Sequence, residues 1–223
     1  MTELVLCYHA VSESWDHRLA LTPERLLAQV RTLRRLARVH VTFDDAFSSV
    51  RNALPALRGL GVPVTVFVCS AFAEHGAPLL IPELATDDPR DREGLTTMSW
   101  AELRALAESG VALGSHTVSH AHLTSLGDDE LTAELTESKR RIEDEVGRRC
   151  PLLAYPYGEH DDRVRGAARA AGYECAYALR APRGDRFALP RLDLYRRHTR
   201  LRTLLSAAPF LSPAAARICR KKR

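Results

Sequence analysis

Two adjacent carboxylates, Asp44 and Asp45, stand at the end of the apolar run Val39 to Phe43. A run of that kind reads as a buried strand. Neighbouring strand residues point to opposite faces, and a buried carboxylate without a partner is costly, so at least one of the pair calls for compensation. The segment Ser115-His116-Thr117-Val118-Ser119-His120 offers it. If the segment makes a helical turn, its imidazoles at i and i+4 share one face and can hold a divalent metal. Two histidines and one aspartate make three ligands and leave a position for water, the arrangement of a catalytic rather than a structural zinc.

The surrounding elements must bring these groups together. Leu4 to Tyr8 forms an apolar strand that delivers His9 at its end, and a polar loop through Trp15, Asp16 and His17 follows. Thr22 caps a helix with Pro23 at its first position and an apolar stripe at Leu26, Leu27, Val30, Leu33 and Leu36. After the Asp-Asp strand, a helix is expected over about Ser48 to Arg58, then a strand from Val62 to Cys69. Residues 73–98 hold prolines, glycines and clustered Asp and Arg, and read as an irregular insertion that can wall a cleft. Ser99 and Glu102 have the spacing of a capping box, so a helix starts at Trp100 and hands over to the strand Val111 to Gly114, which delivers the histidine pair. A long amphipathic helix over Asp129 to Val146 precedes Leu152 to Tyr155 and the turn Pro156-Tyr157-Gly158. Helix Asp161 to Ala171, strand Tyr173 to Leu179 and two short extended pieces within Phe187 to Leu194 complete the pattern. Alternating strands and helices imply one α/β domain with a mostly parallel sheet or barrel, in which catalytic groups gather at the C-terminal ends of strands. His9, Asp44, Asp45, His116, His120 and the turn at Tyr157 all follow apolar runs and so share one rim.

The length of 223 residues and a hydrophobic content of 45% suit one core. The five cysteines are odd in number and lack C-x-x-C spacing, which disfavours a disulfide framework or a thiolate metal site and points to reduced thiols in the cytoplasm. The start reads as a strand with a glutamate at position 3, so neither a signal peptide nor a transmembrane helix is expected. The net charge of +4 is unevenly spread: residues 191–223 hold ten Arg/Lys against Asp193 alone, an excess of nine that leaves residues 1–190 at minus five. The simplest role for this tail is a solvated end; the alternative is peripheral contact with an anionic membrane, at roughly 1 kcal/mol per basic residue. No stacking aromatics interleave with its charges, so nucleic acid is not an expected partner.

Thr42-Phe43-Asp44-Asp45, His116-Thr117-Val118-Ser119-His120 and Tyr155-Pro156-Tyr157-Gly158 together resemble three motifs of the NodB-homology polysaccharide deacetylases, carbohydrate esterase family 4. The leading strand ending in His9 resembles the circularly permuted, poly-N-acetylglucosamine deacetylase branch. The resemblance covers residues 4–194 and implies a distorted (β/α) barrel, a divalent metal with zinc foremost, and removal of N-acetyl groups from aminosugars. It makes Asp45, His116 and His120 the metal ligands, Asp44 the general base, and the backbone N–H of Tyr157 an oxyanion donor. The acid that protonates the leaving amine is His9 or His198, with His9 favoured because a strand leads into it.

The chain departs from the family pattern in places. Ala46 stands where Gly is usual, a change expected to matter little. Ala154 stands where many members carry an Arg that orients the base, which leaves that task to another cation, Arg191. The fourth, Trp-containing motif is missing. His122 is expected in a supporting or surface role, and Asp16, His17 and His160 are loop residues near the rim. These readings give a deacetylase domain over residues 1–198 and a basic tail over 199–223. The expected activity is metal-dependent deacetylation of an N-acetylated sugar or glycan intermediate. Hydrolysis of another C–N bond on the same fold and a non-catalytic sugar-binding module are the alternatives.

Overall fold

The computed structural model describes residues 3–179 and 184–211. Strand β1 (Glu3–Tyr8) leads to a short parallel pair, β2 (Ala10–Val11) and β3 (Ala20–Leu21). Helix α1 (Pro23–Leu33) follows, with the Thr22 hydroxyl accepting from the Arg25 N–H at its head. Its buried stripe ends at Leu33, and Leu36 lies exposed in the turn beyond. Strand β4 (Arg38–Phe43) carries the two aspartates. The helix expected from Ser48 is split into a 3-10 turn, Ser48–Asn52, and α2 (Leu54–Gly59). Pro55 explains the break, because a residue without an N–H fits the first turn of a helix and not its interior.

Strand β5 (Val64–Val68) precedes the insertion, which contains a 3-10 turn at Pro82–Leu84 and helix α3 (Pro89–Gly94). It has its own apolar cluster, in which Trp15 and Phe47 pack with Leu79, Ile81, Leu84 and Leu95. The Trp15 indole donates to Asp91 at 2.8 Å. Helix α4 (Trp100–Glu108) starts with the expected capping box of Ser99 and Glu102. Strand β6 (Ala112–Ser115), helix α5 (Asp128–Val146), strand β7 (Leu152–Ala154), helix α6 (Asp162–Ala170) and strand β8 (Cys175–Ala178) repeat the alternation. Two minimal strands, β9 (Leu189–Pro190) and β10 (Leu192–Asp193), come before helix α7 (Arg200–Ala207). Part of the segment read as a basic tail is therefore ordered helix; residues 212–223, with the terminal basic cluster, lie outside the described residues.

The main sheet has eight strands in the order β10-β1-β4-β5-β6-β7-β8-β9, and every pairing is parallel. Its two edge strands, β9 and β10, are separated in the chain by Arg191 alone. The sheet thus curls into a distorted (β/α) barrel whose seam is a single residue. The Arg191 N–H donates to the Ala178 carbonyl on β8 at 2.9 Å, while the Leu194 N–H reaches the Cys7 carbonyl on β1 at 3.2 Å. The main core, from Leu4 and Leu6 through Val41, Phe43 and Val66 to Leu153, fills the sheet and its helix contacts.

Candidate metal centre and active site

Each motif leaves its strand at the same end of the barrel. Among the described residues, five non-glycine positions have left-handed φ: Asp45 (67°), Ala46 (53°), Thr117 (70°), His120 (63°) and Tyr157 (59°). All five lie in the three motif loops. Backbone strain of this kind costs on the order of 1–3 kcal/mol per residue and collects at functional sites. At Ala46 the left-handed φ shows why glycine suits the position and why alanine there is not free of cost.

The two histidines do not share a helical turn as the spacing suggested. His116 follows the last residue of β6, and residues 117–120 continue as an irregular loop. The Ser115 hydroxyl accepts from the Thr117 N–H, and the Thr117 hydroxyl accepts from the His120 N–H. Glu134 of α5 accepts the N–H groups of Val118 and Ser119 at 2.8 and 3.0 Å, and the Ser119 hydroxyl at 2.6 Å. The loop nevertheless brings both imidazoles to Asp45: His116 Nε2 is 3.6 Å and His120 Nε2 3.5 Å from Asp45 Oδ1. His116 Nδ1 lies 2.8 Å from the Ala154 carbonyl. A carbonyl can only accept, so Nδ1 bears a proton and Nε2 is the nitrogen turned toward Asp45. Burial pushes the His120 pKa down to about 4, so that imidazole is neutral at ordinary pH.

This donor set fits a divalent ion. Three buried lone-pair atoms face one another at distances too long for good hydrogen bonds, while ligands about 2.0–2.1 Å from a tetrahedral zinc sit roughly 3.3 Å apart. Asp45, His116 and His120 would hold it. The set of hard and borderline donors suits zinc without excluding other divalent ions.

Asp44 faces the other side. Its N–H continues the β1–β4 ladder to the Tyr8 carbonyl at 2.9 Å. Arg191 grips the carboxylate with two bonds, 2.6 Å to Oδ1 and 2.8 Å to Oδ2, and a third reaches the Thr42 hydroxyl at 3.2 Å. The guanidinium is buried and lies over the Phe67 ring at 5.4 Å. Burial alone would raise the Asp44 pKa, but Arg191, with His116 and His9, holds it well below the usual carboxylate range. Arg191 is thus the cation that the fold brings to Asp44. Ala154 itself is buried, with its carbonyl engaged by His116.

The structure brings His9 to this cluster and places His198 elsewhere. Donor atoms of Cys7, His9 and Asp44 lie within 4.8 Å of one another. His198 sits in the turn before α7, where its Nδ1 accepts from the Tyr195 N–H at 2.8 Å and its carbonyl accepts from Gln29. Tyr157 closes the rim: its ring meets His120 edge-on at 4.6 Å and stacks on His122 at 3.8 Å. Its hydroxyl donates to Glu83 at 2.9 Å. His122 is not a ligand of the centre; it bridges Glu83 and Glu159 at 3.2 and 3.0 Å, and the Glu159 contact foremost raises its pKa. Beside Tyr157 lies a cavity of about 560 Å³ lined by Thr124, Gly158, Glu159, His160 and Leu179. Asp16 pairs with Arg196 at 2.6 Å and His17 stacks on Trp15.

Several groups at the site carried little sequence signal. The thiols of Cys7 and Cys69 lie 3.4 Å from Asp44 Oδ2 and 3.9 Å from Asp45 Oδ1, and burial pushes both pKa values up. Burial also raises the Asp193 pKa, with the neighbouring His9 acting in the opposite direction on that carboxyl. Glu134 and Glu83 contribute from an exposed helix face and from the insertion. A usable clue was Ser138, a polar residue in the apolar stripe of α5, which meets the Ser115 hydroxyl at 2.8 Å.

The sequence profile of polysaccharide deacetylases matches residues 34–176, nearly two thirds of the chain. The chain belongs to the polysaccharide deacetylase family. The matched stretch includes Asp44, Asp45, His116, His120 and Tyr157, whereas His9 and Arg191 lie outside it. The Bacillus subtilis protein YxkH is 23% identical over 137 residues, 61% of this chain and 42% of that protein. Chitin deacetylase 1 of Cryptococcus neoformans is 41% identical over 64 residues, 29% of this chain and 14% of that enzyme. The chain thus spans less than half the length of these curated relatives. Among solved structures, the Streptococcus pyogenes deacetylase PplD in complex with acetate superposes with a TM-score of 0.74 at 18% identity, covering 92% of this chain and 98% of that one. IcaB of Ammonifex degensii gives 0.73 at 21% identity, covering 92% and 97%. At these identities the likeness is one of fold.

Proposed function

We propose that this polysaccharide deacetylase family member is a metal-dependent hydrolase that removes an acetyl group from the nitrogen of an aminosugar in a glycan or glycan intermediate. The observation that carries the reading is the meeting of a three-donor centre at Asp45 with an arginine-clamped carboxylate, Asp44, beside His9. Asp45, His116 and His120 would hold a divalent metal, which when bound would supply Lewis acidity toward the acetamide carbonyl and toward water, whose pKa such an ion lowers to about 7. Asp44, ionised and fixed by Arg191, accepts the proton of the attacking water. The Tyr157 backbone N–H supports the negative oxygen that develops on the former carbonyl. His9 gives a proton to the amine nitrogen as the C–N bond breaks, so the products are acetate and a free amine. The cavity beside Tyr157 offers space for a sugar, and the acetate complex of the deacetylase PplD supports acetate as a product in this fold.

A second feature supports membrane contact. Leu201 and Leu205, at i and i+4 on α7, are 67% and 65% exposed beside Arg200 and Arg202. No described helix is long and apolar enough to cross a membrane.

The deciding measurement pairs metal content of wild type and His116→Ala with acetate release from a panel of N-acetylated and N-formylated aminosugars. One divalent ion per chain, lost in the variant, with acetate released by the wild type alone, is the expected result. Formate without acetate would transfer the reaction to another amide. Metal without hydrolysis of any substrate would favour a sugar-binding module, and no metal in the wild type would end the ligand assignment.

A further inference from the structure

Cys7 and His9 are two residues apart on an extended segment and so project to the same side. That side faces Asp44 on the neighbouring strand. The Cys7 thiol lies 3.4 Å from Asp44 Oδ2, and the donor atoms of Cys7, His9 and Asp44 are all within 4.8 Å of one another. A zinc-sized ion sits about 2.3 Å from sulfur and 2.0–2.1 Å from nitrogen or oxygen, which asks for donors roughly 3.3–3.6 Å apart. The sulfur–oxygen edge already has that length. His9, half-buried at the strand end, is the donor with room to close in. Asp193, paired with Cys7 across the β1–β10 register, adds a second carboxylate, and its Oδ1 is buried without a hydrogen-bond partner. Arg191 donates to both Asp44 oxygens, so an ion at Oδ2 shares that oxygen with the guanidinium, and Asp193 is the second carboxylate that offsets the added positive charge.

We propose that Cys7, His9 and Asp44 form a second cation site, distinct from the Asp45-His116-His120 centre, that takes a thiophilic divalent ion and is inhibitory when filled. The sulfur donor sets its preference: the first centre offers one oxygen and two imidazoles, whereas the second adds a thiolate that selects cadmium, or zinc in excess. At rest Cys7 is a thiol that donates to Asp44. On binding, the ion displaces the thiol proton to solvent, one proton per cation, and forms the metal–sulfur bond. The occupied site withdraws His9 and the outer lone pairs of Asp44 from any proton transfer. This inhibitory consequence rests on the roles proposed above for His9 and Asp44, while the site itself does not.

The test titrates the full chain, first loaded with one equivalent of zinc, with cadmium while recording the ultraviolet cadmium–thiolate charge-transfer band and proton release. One cadmium per chain with that band and one proton are expected. In Cys7→Ser the band should vanish and in His9→Ala the affinity should fall at least about tenfold, while Cys69→Ser should keep both. A band undiminished in Cys7→Ser, or one lost in Cys69→Ser instead, would overturn the site. Should Cys7→Ser not fold, unchanged affinity in His9→Ala would overturn it equally. Excess zinc should slow acetate release by the wild type. A chain that releases no acetate but still shows the Cys7-dependent band would retain the site and lose only the proposed reaction.

Discussion

Asp44 has to stay ionised in surroundings that penalise charge, and Arg191 is the group that makes this possible. Arg191→Ala would leave an uncompensated buried carboxylate, a change that costs about 3–5 kcal/mol when a buried pair is broken. It is expected to lower kcat/KM by at least about a hundredfold, in the range seen when fixed electrostatic partners are removed from active sites. Metal content should change little, because the Asp45 centre is intact; elemental analysis beside steady-state kinetics checks both, and an unchanged rate would remove the proposed role. Arg191→Lys keeps a charge but not the two parallel bonds, and should recover stability more than rate. The pH dependence follows from the depressed Asp44 pKa. The unfolded chain protonates this aspartate first, near pH 3.9, so its stabilisation is complete above that value and is lost as pH falls through the lower folded value. The melting-temperature gap between wild type and Asp44→Asn should therefore hold steady from neutrality to about pH 5 and narrow only in stronger acid, below the ordinary carboxylate range. Narrowing above pH 5 would show that Arg191 does not hold the carboxylate down.

At the scale of elements, the strands and their deliveries were legible because burial and charge conflict at their ends. An apolar run closing on Asp44-Asp45, or on His9, is a local pattern that needs no partner to be read. The loop of His116 to His120 was misread as helical because spacing alone cannot reveal the left-handed φ of Thr117 and His120. Between those two residues Glu134 holds Val118 and Ser119 across a tertiary contact, from a helix whose sequence says only that this face is polar. Glu134→Ala should thus loosen both histidines and weaken metal binding about 10- to 100-fold, the range for supporting contacts to ligands, without disturbing α5 as followed by circular dichroism. Unaltered metal affinity would show that the loop holds itself. The break before Pro55 was open to reading from the proline itself, whereas the helix inside the insertion was missed because short elements are fixed by packing, here around Trp15, rather than by their own periodicity.

For the whole molecule, the alternation of strands and helices made the parallel barrel legible, but its closure was not, since β9 and β10 are too short to carry a pattern. The surface of α7 gives a prediction at this scale: the chain should co-sediment with anionic vesicles more than with neutral ones, and Leu201→Ser with Leu205→Ser should reduce that binding. Equal behaviour on both vesicles would return the basic segment to solvent. The seam at Arg191 has a further bearing. The same residue that joins the two edges of the sheet also neutralises Asp44, which was laid down near the beginning of the chain. During synthesis, some 150 residues must emerge before that aspartate meets its counterion. On the proposed mechanism activity is thereby tied to completeness: a prematurely terminated chain keeps every metal-ligand candidate yet has neither a sealed barrel nor the counterion of Asp44, so an unfinished copy would not begin to work.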